Sequence, residues 1–326
     1  MSLSVILGKG PVGSSLADLL VRQGQDVRVL SRSGGPGPGE SGGPLVEHRA
    51  VNATDPAALV AATEGASALF NCANPAYHRW AQDWPPMASS LLTAAERTGA
   101  VLVVMGNLYG YGPVAGALHE DLPPASTGTK GRVRADMWAA ALARHRAGAL
   151  AAVEVRASDF VGPGVTDGGH LGSRVVPRVL AGKKVRVIGD PDQPHSWTAM
   201  GDVARALAVA AADERAWGRA WHVPTAPPVT QREAVHGLCR AAGVDPVPVG
   251  VLPHLALRAL GLALPMMREL AEIRYQFVRP FVLDSTAFVE TFQLPATPLE
   301  QTWEQTVAWW RGGARADDRP AQPCDR

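Results

Sequence analysis

The sequence predicts an α/β protein built on a doubly wound parallel sheet, with a smaller C-terminal lobe. Short, continuously apolar segments alternate with alanine-rich helical segments through the first half of the 326-residue chain. Strands that are apolar along their whole length are typical of a parallel sheet covered by helices on both faces. A glycine-rich turn between the first apolar segment and the first helical segment also favours this class.

The predicted elements follow one another as strand, helix and strand. Strands are predicted at residues 5–7, 26–30, 69–72, 101–105 and 153–155, with a further short strand before Asn52, and helices at residues 14–23, 56–63, 87–98 and 132–146. The first strand, the first helix and the second strand form a β-α-β unit of about 30 residues.

The character of the chain changes after residues 162–164, Gly-Pro-Gly. A strand-like segment at 184–188 and a helical segment at 202–212 precede a proline-punctuated C-terminal third. We predict a core at residues 1–165, to which residues 184–222 return, and a substrate lobe at residues 166–183 and 223–311. Residues 33–44, rich in Gly and Pro, are expected to form a mobile surface loop, and residues 312–326 a disordered tail.

The charge balance argues against several kinds of partner. The chain has 31 Lys and Arg against 30 Asp and Glu, so it lacks the basic field that binding to nucleic acid or to an anionic membrane demands. Three scattered cysteines predict neither a disulfide framework nor a zinc site, and the first apolar segment is too short for a signal peptide. We expect a cytoplasmic protein with a small-molecule substrate, and a homodimer is a candidate assembly.

A glycine motif lies between the first strand and the first helix. Residues 8–13, Gly-Lys-Gly-Pro-Val-Gly, match the pattern G-x-G-x-x-G, whose glycines permit a tight turn, close approach of a pyrophosphate and close packing of helix on strand. The pattern alone also fits an ordinary turn, but its position between strand and helix indicates a Rossmann-type dinucleotide site. We assign cofactor binding to Gly8, Gly10, Pro11, Val12 and Gly13.

The residues after the second strand predict which dinucleotide binds. An NAD site typically has Asp or Glu there, but this chain has Ser31 and Arg32. Arg32 can pair with a 2′-phosphate, so NADP(H) is the expected cofactor; the alternative is that Arg32 is a solvated loop charge. Asn52 is expected near the adenine, although it also fits an N-cap together with Asp55, and Asp55 is assigned to capping.

Several further segments, in the same order along the chain, resemble one family. They are Tyr111-Gly112-Pro113, the segment RASDFVGP at residues 156–163, Gly189-Asp190 and Asp202-Val203-Ala204. Over residues 3–225 the chain resembles the extended and atypical short-chain dehydrogenases/reductases, often grouped as NAD-dependent epimerase/dehydratases. The resemblance implies a Rossmann-fold enzyme that binds a nicotinamide dinucleotide.

The same resemblance shows where the catalytic pattern differs. Enzymes of this family typically have Ser or Thr four residues before the Tyr of the Tyr-Gly pair, and a Tyr-x-x-x-Lys pair on a later helix. This chain has Asn107 at the first position, and Lys130 and Arg134 at the Tyr and Lys positions. A second alignment makes Lys130 the family lysine and Ser126 the tyrosine position, but the glycines at 128 and 131 make a helix there unfavourable.

The i, i+4 spacing places Lys130 and Arg134 on one helix face, where both could point at the ribose and nicotinamide end of the cofactor. We assign Arg134 to ribose or phosphate binding. Lys130, with a depressed pKa, could transfer a proton or polarise a carbonyl, or could be an exposed helix-end charge or phosphate contact. Asn107 could donate a hydrogen bond to a substrate oxygen, with Tyr111 near the reacting carbon.

Other polar groups have weaker claims to a function. The loop at residues 74–80 follows a strand and is expected either to contact substrate or to pack under Tyr77 and Trp80. His195 could donate a proton or be structural, and His170 has a similar, weaker claim. Residues 273–281 are expected to cover the pocket or to pack on the core. Neither a metal-binding spacing nor a G-x-S-x-G elbow occurs, and Cys72 is expected to be inert packing.

These expectations predict an NADP(H)-dependent oxidoreductase that acts on a small organic carbonyl compound or alcohol. The alternatives are an epimerase, dehydratase or isomerase that keeps its nicotinamide bound, and a redox-silent protein that binds the nucleotide as a sensor or structural element. The family resemblance supports all three, and the replaced catalytic tyrosine leaves the choice among them open.

Overall fold

Seven parallel strands form the central sheet of the protein. The computed structural model describes residues 2–36, 45–252 and 272–312. The sheet order is β11-β6-β5-β4-β1-β2-β3, and all six pairings in it are parallel. The strands are β1 (Leu3–Leu7), β2 (Asp26–Ser31), β3 (Val46–Ala50), β4 (Ala66–Asn71), β5 (Val101–Asn107), β6 (Ala152–Ala157), β7 (Asp159–Val161), β8 (Val185–Val187), β9 (Pro194–His195), β10 (Trp197–Ala199), β11 (Ala220–His222), β12 (Val229–Thr230) and β13 (Val249–Val251).

Helices cover both faces of this sheet. They are α1 (Pro11–Arg22), α2 (Pro56–Thr63), α3 (Trp80–Thr98), α4 (Thr129–Arg146), α5 (Val176–Leu180), α6 (Met200–Ala212), α7 (Gln231–Ala242), α8 (Thr286–Phe292) and α9 (Leu299–Arg311). Ile6 packs with Leu16 of α1 in the core of one face, whereas Val5 and Leu7 lie in the core of the other. A strand buried on both sides must be apolar at every position, so the predicted doubly wound α/β fold is confirmed.

The direction of strand addition reverses at β1. This strand pairs with β2 on one side and with β4 on the other. In open α/β sheets, the ligand crevice lies outside the carboxyl ends of the strands at such a reversal. The residues that follow β1, β4, β5 and β6 are therefore the ones that the fold brings to a common site.

One helix begins earlier than the sequence predicts. α3 begins at Trp80 rather than at residue 87, and it contains Pro85 and Pro86. Proline lacks an amide hydrogen and cannot donate the helical hydrogen bond, so two prolines in the sequence predict a helix end rather than a helix interior. The tertiary structure overrides that signal because Trp80 and Trp84 are both fully buried and anchor the first turns of α3.

A second hydrophobic core lies outside the sheet. It includes Val179 of α5, Leu238 of α7 and Trp303 of α9, and β8 pairs with β13 beside it. In the described part of the chain, no helix has both the length and the apolar character of a membrane span. The domain boundaries, the homodimer and the cytoplasmic location stay predictions, and residues 37–44 of the predicted loop and 313–326 of the predicted tail lie outside the described residues.

Candidate functional site

The glycine turn has the geometry that close approach of a dinucleotide needs. Gly8 has a φ of 108°, which glycine adopts without strain. A Cβ on Gly13 would overlap the carbonyl oxygen of Gly8, whereas no described atom lies within 4 Å of a Cβ on Gly10. Pro11 and Val12 open α1. The turn is therefore closed on its packed side and open above Gly10, at the helix N-terminus that favours phosphate.

Two cationic side chains belong to the region where β2 ends. Arg32 follows Ser31, the last residue of β2, and is exposed. Nζ of Lys9, in the glycine turn, donates a hydrogen bond to the carbonyl oxygen of Gly34, 2.7 Å away. This contact holds the Lys9 ammonium between the glycine turn and the loop after β2. The hydroxyl oxygen of Ser31 is buried and has no hydrogen-bond partner among the described residues.

Asn52 and Asp55 lie after β3, at the N-terminus of α2. Asp55 Oδ1 accepts hydrogen bonds from the backbone N–H groups of Ala57 and Ala58, so its predicted capping role is confirmed. Asn52 is exposed, and its Oδ1 accepts from the N–H and the hydroxyl of Thr54. Its predicted contact with the adenine stays a prediction.

A cavity of about 120 Å³ opens at the carboxyl ends of the central strands. Its wall includes Val12 of the glycine turn, the residues that follow β4 and β5, and residues 157–160 where β6 ends. Gln276 and Phe281 cover another side, and Phe281 is held to β9 by backbone hydrogen bonds with Pro194 and Ser196. The cavity thus adjoins the glycine turn, in the crevice that the strand order creates.

Two phenol groups meet in this cavity. Tyr77 follows β4, Tyr109 follows β5, and their Oη atoms are 2.8 Å apart. Trp80 packs beside both, with ring centres 4.9 Å from Tyr77 and 6.1 Å from Tyr109. Burial raises the pKa of Tyr77 and raises that of Tyr109 strongly. Both phenols therefore keep their protons at neutral pH.

Arg134 supplies a buried positive charge to the cavity wall. Its guanidinium carbon lies close to two buried tryptophans, 4.8 Å from the ring centre of Trp80 and 4.5 Å from that of Trp84. Nη1 donates a hydrogen bond to the carbonyl oxygen of Met105 over 3.1 Å. The side chain is 8% exposed. Burial lowers the pKa of Arg134, but from so high a value that the group stays charged.

Lys130 lies one helical turn before Arg134, as the i, i+4 spacing predicts, and is held by a residue distant in sequence. The backbone N–H and Nζ of Lys130 donate to the two carboxylate oxygens of Glu272, over 2.7 Å and 3.3 Å. Gly128 is the N-cap of α4, and a Cβ there would overlap Glu272. At 1% exposure, with Nζ 5.8 Å from the Tyr77 ring centre, Lys130 is not the exposed charge considered as an alternative.

Asn107 is the last residue of β5 and Tyr111 lies in the turn that follows, but the two have different surroundings. Asn107 lines the cavity, and its Oδ1 accepts from the N–H of Tyr109 over 3.1 Å. Tyr111 is 1% exposed and is not part of the cavity wall. Its hydroxyl lies 2.8 Å from Nε2 of His222 and accepts from Nη1 of Arg156 over 2.7 Å. The catalytic roles of Asn107 and Tyr111 stay predictions.

A carboxylate and an imidazole form a pair on the far side of the cavity. Oδ2 of Asp159 is 2.8 Å from Nε2 of His195, and Nδ1 of His195 is 3.2 Å from the carbonyl oxygen of Gln276. Burial works to raise the pKa of Asp159, but the hydrogen bond and the charge of His195 together hold it below the usual value. His195 is 2% exposed and is not part of the cavity wall, whereas Asp159 is. We therefore expect His195 to act on the cavity through Asp159.

His170 is buried beside this pair. Its ring stacks on Phe277 with centres 4.2 Å apart, and its Nε2 is 2.6 Å from Oε1 of Gln231. Burial lowers the pKa of His170 to about 4. It is therefore neutral at physiological pH, and its surroundings are those of a packed core residue.

The structure brings Arg134 and Asn107 to the wall of one cavity, whereas Lys130 is not part of that wall. It also adds polar residues that sequence reasoning missed. Tyr109 stands two residues after Asn107 in the Tyr-Gly-Tyr segment, and Asp159 lies within the segment RASDFVGP. Both follow a strand of the sheet, which was the available signal. Glu272 carried no such signal, because 142 positions separate it from Lys130.

Comparison with known proteins gives results at the level of family and fold. Residues 5–223 match the model of the NAD dependent epimerase/dehydratase family, and none of the curated proteins matches the chain. A Bacillus anthracis dTDP-glucose 4,6-dehydratase in complex with NAD superposes with a TM-score of 0.78 at 16% identity, covering 96% of this chain and 97% of that one.

Two other solved structures are similar to the same extent. A Thermus thermophilus UDP-glucose 4-epimerase complex with NAD has a TM-score of 0.75 at 20% identity, over 95% of this chain and 99% of that one. DesIV, a dTDP-glucose 4,6-dehydratase from Streptomyces venezuelae with NAD and TYD bound, has a TM-score of 0.76 at 18% identity, over 95% and 97% of the two chains. At these identities, the similarity establishes the shared fold.

Proposed function

Because the chain belongs to the NAD-dependent epimerase/dehydratase family, we propose that it is an NADP(H)-dependent oxidoreductase that acts on a small organic carbonyl compound or alcohol. One observation carries the proposal. The hydrogen-bonded phenols of Tyr77 and Tyr109 lie in the wall of a cavity that adjoins the glycine turn. This supports the proposal, because a phenol in that wall can donate a proton close to a dinucleotide bound on the glycine turn.

The described residues fit such a cofactor. The turn at Gly8 and Gly13 closes tightly, and the space above Gly10 is open at the N-terminus of α1. Val12 belongs both to this turn and to the cavity wall, so a dinucleotide bound on the turn has a direct route to the cavity. When bound, the nicotinamide supplies or accepts a hydride.

The preference for NADP(H) rests on the charges near β2. Arg32 follows the end of β2, where Ser31 stands in place of the acidic residue typical of NAD sites. Lys9 adds an ammonium that is fixed to the loop after β2 through Gly34. The described residues that directly follow β2, residues 32–36, include Arg32 and no carboxylate. Together with Lys9, this favours a ribose that carries a 2′-phosphate.

The chemistry proposed for the chain is proton transfer at a phenol oxygen. Tyr77 and Tyr109 are neutral, so either can donate a proton to a carbonyl oxygen that becomes an alcohol. The other phenol then donates a hydrogen bond to the phenolate. The buried charge of Arg134, which opposes the rise in the pKa of Tyr77 that burial causes, stabilises the phenolate further. Lys130 adds a second cation 5.8 Å from the Tyr77 ring centre. In this arrangement the phenol comes from a position other than the Tyr of the family's Tyr-x-x-x-Lys pair, whereas the cations Lys130 and Arg134 stand at the two positions of that pair.

A redox-neutral epimerase or dehydratase that retains its nicotinamide is the second candidate. The similar solved structures include dTDP-glucose 4,6-dehydratases and a UDP-glucose 4-epimerase, each with NAD. Asp159, backed by His195, offers a carboxylate that could remove a proton from carbon. In such a reaction, no net consumption of NADPH occurs.

Measurement of NADPH oxidation tests the proposal. The purified protein is mixed with NADPH and a panel of ketones, aldehydes and enones, and the nicotinamide absorbance is followed. We expect the wild type to turn over. We expect kcat to fall by at least about tenfold in Tyr109→Phe or Tyr77→Phe, because a general acid contributes about 10²-fold or more to the rate and the remaining phenol can replace part of that effect.

Tyr111→Phe is the matched comparison, because it removes a hydroxyl of the same kind from outside the cavity wall. Loss of turnover in Tyr111→Phe with full turnover in Tyr77→Phe and Tyr109→Phe would contradict the proposed proton donor. Tight NADPH binding without NADPH oxidation on any compound would instead favour either the redox-neutral epimerase or dehydratase or a nucleotide sensor.

A further inference from the structure

Arg134 is a buried cation without an anionic partner in the residues that the structure describes. Its guanidinium carbon lies 4.8 Å and 4.5 Å from the ring centres of Trp80 and Trp84. One nitrogen, Nη1, donates to the carbonyl oxygen of Met105, while Nε is buried with no acceptor among the described residues. A charge removed from water in this way is strongly unfavourable unless an opposite charge compensates it.

The other cations near the cavity are paired. Nζ of Lys130 lies 3.3 Å from the carboxylate of Glu272. Arg156 lies 2.6 Å from Glu154, which also acts on Arg134 at longer range. Each of these pairs is neutral as a unit, so neither balances the charge of Arg134.

The carboxylate of Asp159, which lines the same cavity, is held by His195. Its Oδ2 lies 2.8 Å from Nε2 of His195, whose Nδ1 lies 3.2 Å from the carbonyl oxygen of Gln276. The hydrogen bond of Asp159 therefore goes to the imidazole and not to Arg134. Among the described residues, the guanidinium of Arg134 thus has a carbonyl oxygen but no carboxylate as a direct partner.

Two further side chains of the cavity wall hold donors without acceptors. Oγ of Ser158 and Nε2 of Gln276 are buried and have no partners in the described part of the protein. Ser158 is 7% exposed and Gln276 2%, and both line the same cavity as Arg134. Buried donors are normally satisfied, so three unsatisfied ones around a single cavity indicate a ligand rich in acceptors.

We propose that the substrate carries a carboxylate, which the guanidinium of Arg134 binds with the help of Ser158 and Gln276. The inference rests on the proposed function: the compound converted is an oxo acid or a hydroxy acid. A carboxylate brings one negative charge and two coplanar acceptors that match the edge of a guanidinium. A phosphate dianion exceeds the single charge of Arg134, and the ribose hydroxyl assigned to Arg134 from the sequence would leave that charge uncompensated.

The test uses the full chain labelled with 5-fluorotryptophan, with Trp80→Phe and Trp84→Phe to identify the two ¹⁹F signals that flank Arg134. The probes are pyruvate and 2-oxobutyrate, the neutral pyruvamide and inorganic phosphate. We expect both carboxylates to shift the Trp80 and Trp84 signals saturably, with at least tenfold higher affinity than pyruvamide. Absence of a saturable shift up to about 50 mM, above the millimolar range of so small a ligand, would overturn the inference.

Two arginines on one helix provide matched variants. Arg134→Met should weaken pyruvate binding at least tenfold, whereas Arg132→Met, which removes an exposed arginine of α4, should leave it unchanged. Arg134→Lys keeps the charge but loses the planar pair of donors, so we expect an intermediate loss. If Arg134→Met does not fold, the test rests on two other comparisons: the affinity of Arg134→Lys for pyruvate against that of the wild type, and the affinity of the wild type for pyruvate against that for pyruvamide.

Parallel titration with NADPH separates this inference from the proposed function. Carboxylate binding without NADPH binding would support the inference and contradict the proposed function. Reduction of neutral ketones by NADPH, with no binding of carboxylates, would support the proposed function and contradict the inference. The inference would be overturned if Arg134→Met lost affinity for NADPH and not for pyruvate. It would also be overturned if inorganic phosphate shifted the ¹⁹F signals as much as pyruvate does.

Discussion

Acidification should destabilise this protein through two buried histidines. Burial lowers the pKa of His170 to about 4, and burial with the nearby charge of Arg156 lowers that of His222 to about 3. In the unfolded chain both titrate near 6.5. The unfolded state therefore binds more protons in acid, and the stability that is fully present above about pH 6.5 is lost as the pH falls towards the folded values.

The expected size of the loss follows from these two shifts. One pKa unit corresponds to about 1.4 kcal/mol, so each histidine should contribute a loss of about 2 kcal/mol between about pH 7 and about pH 5. Together they account for about 4 kcal/mol, a large part of the stability of a typical domain. Burial raises the pKa of Glu120, and this carboxyl offsets part of the loss at the acid end because it stays protonated more readily in the folded state.

Urea unfolding followed by tryptophan fluorescence at several pH values measures this loss. His170→Gln keeps a nitrogen donor for Gln231 but cannot be protonated, so the decrease between about pH 7 and about pH 5 should shrink by about 2 kcal/mol. His78→Gln, at an exposed histidine, should leave the decrease unchanged. A free energy of unfolding that falls by less than about 1 kcal/mol in the wild type would refute the reasoning.

Two further predictions concern the cofactor site. Arg32→Ala should reduce the affinity for NADPH by about tenfold and leave the affinity for NADH nearly unchanged, because a charge-assisted contact to phosphate is worth about 1.5 kcal/mol. Energy transfer from tryptophan to the nicotinamide measures both dissociation constants. An equal loss of affinity for both cofactors would contradict a role of Arg32 in recognising the 2′-phosphate. Gly13→Ala introduces a Cβ that overlaps the carbonyl oxygen of Gly8. We therefore expect the free energy of unfolding in urea to fall by about 1–3 kcal/mol and either nucleotide to bind more weakly. Gly24→Ala is the control: no described atom lies within 4 Å of the new carbon but φ is 77°, so it should lower the stability and leave nucleotide binding intact.

The sequence carries the parts of the site that depend on local patterns. The glycine turn is recognisable because tight turns and close packing require glycine at fixed spacings, and the pairing of Lys130 with Arg134 follows from helical periodicity. Contacts between distant segments are different. The hydrogen bond between Tyr77 and Tyr109, the capping of α4 by Glu272 and the pairing of Asp159 with His195 depend on how separate loops meet, and no spacing in the chain encodes these distances.

The beginning of α3 illustrates the same limit within one element. Pro85 and Pro86 carry a strong local signal against a helix interior, yet the helix extends back to Trp80. Trp80 and Trp84 in its first turns are buried and lie close to the guanidinium of Arg134 on α4. These contacts come from another helix, so the sequence of α3 alone does not reveal them.

The segment that closes the cavity has a consequence for redesign. Residues 276 and 281 form part of the wall. Phe281 donates a backbone hydrogen bond to Pro194 and accepts one from Ser196, and the rings of Phe277 and Phe281 stack on His195. The central sheet takes no strand from the described part of this segment. An exchange of the segment between homologous scaffolds should therefore keep aromatic residues at 277 and 281, which hold His195 beside Asp159, and vary the other positions to alter which molecules are accepted.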